Sequence, residues 1–156
     1  MGIRSVANAS SSTPVLTFYG AIATGSLNST NVQTTITSPT LGSSSAGISL
    51  AAGVITFAAP GKYLLTFTGS AYSSGSGAYV YPQVILVSAT NCTMISDLGG
   101  NAAGYAYSQQ ITVPFNGSGI ITTTAANATT SIAINYSQAN CTSSTCNILA
   151  VIQKLP

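Results

Sequence analysis

Four side chains carry all the charge this sequence has: Arg4, Lys62, Asp97 and Lys154. There is no His and no Glu. General acid–base catalysis draws on His, Glu, Asp or Lys with a tuned pKa. A Ser-His-Asp or Cys-His nucleophile needs an imidazole, which the chain lacks. A carboxylate pair for sugar hydrolysis needs two acids, and Asp97 stands alone. A zinc site would have to be built from Cys92, Cys141, Cys146 and Asp97, whose spacing matches no zinc pattern. The expectation is a protein that is not an enzyme and holds no cofactor or metal. Three scattered basic residues also cannot neutralise many phosphates, so nucleic acid is not an expected partner.

Two kinds of covalent chemistry remain open. The three cysteines are an odd number, and Cys141 and Cys146 (CTSSTC) are spaced to close a small loop. That pairing, the favoured one, fits an oxidising compartment. A Cys92 bridge to either, or three reduced buried thiols, are the alternatives. Seven Asn-x-Ser/Thr sequons occur, at Asn8, Asn28, Asn91, Asn116, Asn127, Asn135 and Asn140. A chain so rich in Asn, Ser and Thr would produce about four by composition alone. Asn116 and Asn127 fall at expected turns, where a glycan is tolerated. Asn135 falls inside an expected strand, which leaves Asn8, Asn28, Asn91, Asn116, Asn127 and Asn140 as candidate glycosylation sites.

Only 3% of residues are charged while 46% are hydrophobic. A typical soluble domain is about 25% charged, and a net charge near zero promotes association. Such a surface must be wetted by hydroxyls, amides and sugar, or covered by neighbouring subunits. The opening MGIRSVANASSST has no apolar stretch of signal-peptide type. Val6 occupies the position where a myristoylation motif wants Ser or Thr. No run of apolar residues is long enough to span a membrane. A virion protein assembled inside a host cell fits these features, as does a mature secreted chain with an added Met.

The elements that must position these residues are strands. Runs of Val, Ile, Thr, Tyr and Phe are separated by Gly, Asn, Ser and Pro, and no sustained helical periodicity appears. Expected strands are 14–24, 31–37, a stub at 47–50, 54–58, 62–73, 78–89, 91–95, 105–115, 119–124, 130–136 and 147–154. Residues 78–89 should bend or bulge at Pro82, since proline cannot donate to a ladder. The Ser-rich stretches 9–13 and 43–45 read as loops. About ten short strands in 156 residues describe an all-β, two-sheet antiparallel jelly-roll sandwich. Residues 1–12 read as an N-terminal arm and 13–156 as a single jelly-roll domain.

The segment GISLAAGVITFAAPGKYLLTFTGSA, Gly47 to Ala71, resembles the signature region of tumour-necrosis-factor-like and complement globular-head jelly rolls. The matching positions are Val54, Phe57, Pro60, Gly61, Tyr63 and Phe67. The closing NILAVIQKL, Asn147 to Leu155, is similar to that family's last strand, which lies centrally in the inner sheet. In flavour it is nearest to members on virus capsid surfaces and spore coats. The resemblance implies a homotrimer in which inner-sheet aromatics pack about a three-fold axis. Tyr63, Tyr79, Tyr81, Tyr105, Tyr107, Phe115 and Tyr136 are the candidates.

The expected function is a non-enzymatic structural subunit of a virion surface or capsid, a decorating or fibre-head protein assembling as a homotrimer. Its partners are further copies and neighbouring capsid or surface proteins. A second possibility is a receptor- or glycan-binding head using the aromatic stretches 78–81 or 104–107. A third is an extracellular filament subunit whose N-terminal arm adds a strand to the next subunit.

Overall fold

The computed structural model describes residues 13–24, 32–37, 39–74, 79–94, 104–105, 110–139 and 143–156. Expectations for the arm 1–12 lie outside these residues. Among them are twelve strands. They are β1 (Val15–Thr24), β2 (Val32–Thr35), β3 (Thr40–Ser44), β4 (Ile48–Ala51), β5 (Val54–Phe57) and β6 (Gly61–Ser74). β7 (Tyr79–Thr90), β8 (Cys92–Met94), β9 (Gly104–Tyr105), β10 (Gln110–Thr123), β11 (Ala128–Ala139) and β12 (Ser143–Lys154) follow.

Two antiparallel sheets stack face to face. The first runs β3-β1-β12-β6-β10-β8 and the second β4-β5-β11-β7-β9, with β2 also paired to β11. Consecutive strands cross between the sheets, as β5 to β6 and β6 to β7 do, so the sheets interleave in sequence. Taking β1, β5, β6, β7, β9, β10, β11 and β12 as the eight main strands gives two four-stranded sheets, the double Greek key of a jelly roll. The last strand, β12, lies between β1 and β6. The all-β jelly-roll expectation is met.

Alternation fixes which side chains enter the core. On β12 Cys146, Ile148, Ala150 and Ile152 are buried; on β6 Tyr63, Leu65, Phe67 and Ala71 are; on β1 Leu16 and Phe18. From the second sheet come Ile48, Ile55, Phe57, Val84, Ile132 and Ile134. Within this core the Tyr63 ring tilts against Phe57, centroids 4.5 Å apart, and its hydroxyl donates to the Ala59 carbonyl at 2.7 Å. The Thr123 hydroxyl donates toward the same carbonyl at 3.3 Å. Lys154 sits 5.9 Å over the Tyr63 ring. Burial first, and then the neighbouring Cys92, push the Tyr63 phenol above its usual pKa, while the Thr123 hydroxyl pulls it back. Tyr63→Phe keeps the ring and deletes one of two bonds to Ala59. The expected loss is about 1 kcal/mol, read as a denaturation midpoint shift at unchanged slope.

The structure corrects four details of the sequence reading. Residues 105–115 and 119–124 do not form two strands about a turn: Gln110–Thr123 is one strand, and Asn116 sits in its middle opposite Thr68. The glycines that look like a turn serve packing instead. Gly117 lies opposite Phe67, and Gly69 on β6 lies opposite Phe115. A Cβ at Gly117 would come within 2.6 Å of the Phe67 ring, and one at Gly69 within 2.7 Å of the Phe115 ring. Each aromatic lies over the glycine across from it, and the two rings stand 6.1 Å apart. The Ser-rich stretch at 43–45 is not all loop, since Ser43 and Ser44 end β3. β7 stays in register with β11 through Pro82; its irregularity falls instead at Ser88, where φ is +51 and the register shifts. Finally, Tyr63 and Phe115 are buried in this chain's own core and so are not subunit-packing aromatics.

Candidate functional site

The same alternation that fills the core sends every second residue of the first sheet outward. The registers of β1, β12, β6 and β10 align these residues into cross-strand rows. One row reads Tyr19, Leu149, Thr68, Asn116. Beside it lie Thr17, Val151, Thr66, Ser118 on one side and Ala21, Asn147, Ser70, Pro114 on the other. A further row is Val15, Gln153, Leu64, Ile120. None of these sixteen positions is charged. Lys62 stands only at the margin, opposite Thr122. Tyr19 and Leu149 are each 45% exposed and Leu41 on the edge strand β3 is 47% exposed. Two hollows flank Leu149. One, of about 200 Å³, is lined by Thr66, Thr68, Leu149 and Val151. The other, of about 310 Å³, is lined by Tyr19, Thr68, Ser70, Asn147 and Leu149. Exposed large apolar side chains on an uncharged sheet face make this the candidate interaction surface.

The strand β3 adds an open edge beside this face. All five of its residues are exposed, none is charged, and among the described residues it pairs only with β1. Edge strands are ordinarily blunted by charge or proline, and β3 has neither inside its span. At the second sheet's corner a hydroxyl-rich hollow of about 440 Å³ is lined by Ser44, Ser45, Ser49, Thr56 and Asn127.

The sequence-derived site residues scatter around this frame. Phe57, Tyr63 and Phe67 of the family signature are core residues; Val54 and Pro60 are exposed. Asn91 and Asn127 are exposed in turns at left-handed φ of +55 and +57. Asn116 is exposed on the outer face of the first sheet. Asn8, Asn28 and Asn140 lie outside the described residues, and Asn135 is described only by its place in β11. Tyr79, Tyr81, Tyr105, Tyr107 and Tyr136 have no described side chains. Tyr19 was missed, although its parity to Leu16 and Phe18 places it outward.

Cys146 carries a free thiol that faces the core in line with Ile148, Ala150 and Ile152. Its side chain is turned into the sandwich and is 2% exposed. Cys141 itself lies outside the described residues. Burial pushes the Cys146 thiol up to about 12. The proton is therefore held on folding, and stability conferred by the neutral thiol is full below the unfolded thiol's pKa and lost as pH rises toward 12. Iodoacetamide at pH 8 is expected to leave Cys146 unmodified in the native protein and to label it in denaturant. Rapid native labelling would contradict this burial.

Among the described residues, no group of three Cys, His or acidic side chains is placed to hold a metal, and no helix is long and apolar enough to cross a membrane. The chain matches no protein-family model and no curated protein. Solved structures are similar in fold. Murine APRIL at pH 8.0 aligns over 92% of this chain and 100% of its own, at 12% identity and a TM-score of 0.46. The PRD1 vertex protein P5 aligns over 92% and 97%, at 16% identity and 0.42. The Eiger TNF from S. frugiperda aligns over 92% and 93%, at 12% identity and 0.39. The strand order itself defines the fold as a two-sheet antiparallel jelly roll.

Proposed function

We propose that this chain is a non-enzymatic structural subunit of a virion surface or capsid, assembling as a homotrimer through the outer face of its first sheet. One observation carries the reading: the rows centred on Leu149 and Thr68 expose Tyr19 and Leu149, with Val151 half-buried beside them, without a single charge. A free surface of this kind favours association over solution. A second copy with the same uncharged face is a chemically matched partner, whereas a charged partner would leave its ions unpaired. The near-absence of catalytic side chains across the whole sequence supports a structural role.

A second reading, a filament joined by strand addition, is favoured by the exposed and uncharged edge of β3. The mass of the native protein in solution separates the two. A single species of three chains at all concentrations supports the closed assembly. A polymer series supports the filament, and a stable monomer overturns both. Because no charges meet on the proposed face, raising salt should not dissociate the closed species. Immunogold labelling of intact source particles tests the virion location.

A further inference from the structure

Two of the sequons meet at one end of the sandwich. Asn91 lies between β7 and β8, and Asn127 ends the turn between β10 and β11. The Thr124 amide, at the start of that turn, donates to the Asn91 carbonyl at 3.0 Å, so the two turns are tied together. Both asparagines are exposed and both hold a left-handed φ, of +55 and +57. Asn is among the few residues that tolerate this conformation, so backbone demand explains part of the choice. It does not explain the threonine two residues on, Thr93 and Thr129, that completes a sequon each time. Glycine meets the same backbone demand, and among the described residues Gly47 and Gly53 do so; Ala52 and Ser88, also at positive φ, are not in sequons. Beside Asn127, the hollow bearing Ser49 and Thr56 offers hydroxyls to a first sugar residue.

We propose that Asn91 and Asn127 form a paired N-glycosylation site that caps this end of the jelly roll, and that Asn116 stays bare. The exclusion of Asn116 rests on the proposed function, because Asn116 lies in the same row as Leu149 and Tyr19 on the face read as covered. In the transfer, the Asn side-chain nitrogen bonds to the anomeric carbon of a diphosphate-activated oligosaccharide. The anomeric carbon–oxygen bond breaks, the diphosphate leaves with its electron pair, and one amide proton passes to a base on the transferase. The paired glycans supply polarity that this weakly charged chain lacks, and they do so away from the subunit-packing face. The subunit thereby gains a sugar-bearing outer end.

Glycopeptide mapping of protein from its natural source tests this. Sugar on both Asn91 and Asn127 is the expected result, and a bare side chain at either overturns the cap. Sugar on Asn116 instead counts against the covered face, so the two readings fail separately. In the source system, Thr93→Ala should lower the intact mass by one glycan while Thr93→Ser keeps it. Since Thr93 is exposed, neither variant is expected to disturb folding. A Thr93→Ala mass equal to the wild type, apart from the substitution itself, overturns occupancy at Asn91. Enzymatic removal of the glycans should leave the three-chain assembly intact.

Discussion

If the chain assembles as proposed, Leu149→Asp is expected to convert the trimer to a folded monomer. Leu149 is 45% exposed in the single chain, so an aspartate there keeps its hydration and the fold loses little, within about 0.5 kcal/mol. In the assembly the same carboxylate meets a face with no cation in any of the rows around it. An uncompensated buried charge costs about 3–5 kcal/mol, which raises the dissociation constant by roughly 100-fold or more. Several such charges would converge about one symmetry axis and repel each other as well. Val54→Asp is the matched control. Val54 is an apolar residue of similar exposure, 40%, on β5 of the other sheet. That variant should keep the wild-type mass. Native mass spectrometry and sedimentation read both outcomes, and far-UV circular dichroism shows that each variant folds. If Leu149→Asp remains a trimer, the first sheet's outer face is not the interface; if Val54→Asp also dissociates, the effect is not specific to that face.

How far the sequence discloses this face depends on which signal one reads. The alternation of Tyr63, Leu65 and Phe67, with Pro60-Gly61 before it, was legible because one side of β6 is buried and the other is not. The same parity argument applied to Cys146, Ile148, Ala150 and Ile152 turns Cys146 inward. Tyr19 follows from Leu16 and Phe18 in the same way. β3 was not legible, because TLGSS exposes every residue and so has no alternation to detect. Its strand state comes from pairing with β1, a tertiary cause that local composition does not carry. The stretch Asn116 to Gly119 misled for a different reason. Asn-Gly followed by Ser-Gly is a strong local turn signal, but the demand that decides it comes from the ring across the sheet. Function was legible chiefly as exclusion: missing His and Glu remove reactions, whereas the face that remains emerges only when four strands are placed side by side.

The glycine–aromatic pairing is itself open to a severe test, since Gly69→Ala is expected to be among the most destabilising single-methyl additions in the chain. A Cβ there would run into the Asn147 carbonyl oxygen of β12 and lie 2.7 Å from the Phe115 ring. The ring can tilt, but the carbonyl belongs to a strand held on both sides, by β1 and by β6. Relief therefore requires β12 to move, and overpacking of this kind costs about 1–3 kcal/mol. Alanine's lower unfolded-state entropy offsets up to about 1 kcal/mol of any such change. A net loss of about 2 kcal/mol corresponds to a melting temperature lower by roughly 4–8 °C for a domain of this size. Gly117→Ala should cost less, because the three atoms nearest its would-be Cβ all belong to the Phe67 ring, the nearest at 2.6 Å. Trimming that ring with Phe67→Leu should recover part of the Gly117→Ala loss, whereas trimming the ring over Gly69 with Phe115→Leu should not recover Gly69→Ala, whose obstacle is backbone. All variants are to be melted at one fixed chain concentration, because association contributes to apparent stability. Equal losses for the two glycines, or rescue of Gly69→Ala by Phe115→Leu, would show that the rings, and not the closeness of β12, set the requirement for glycine on β6.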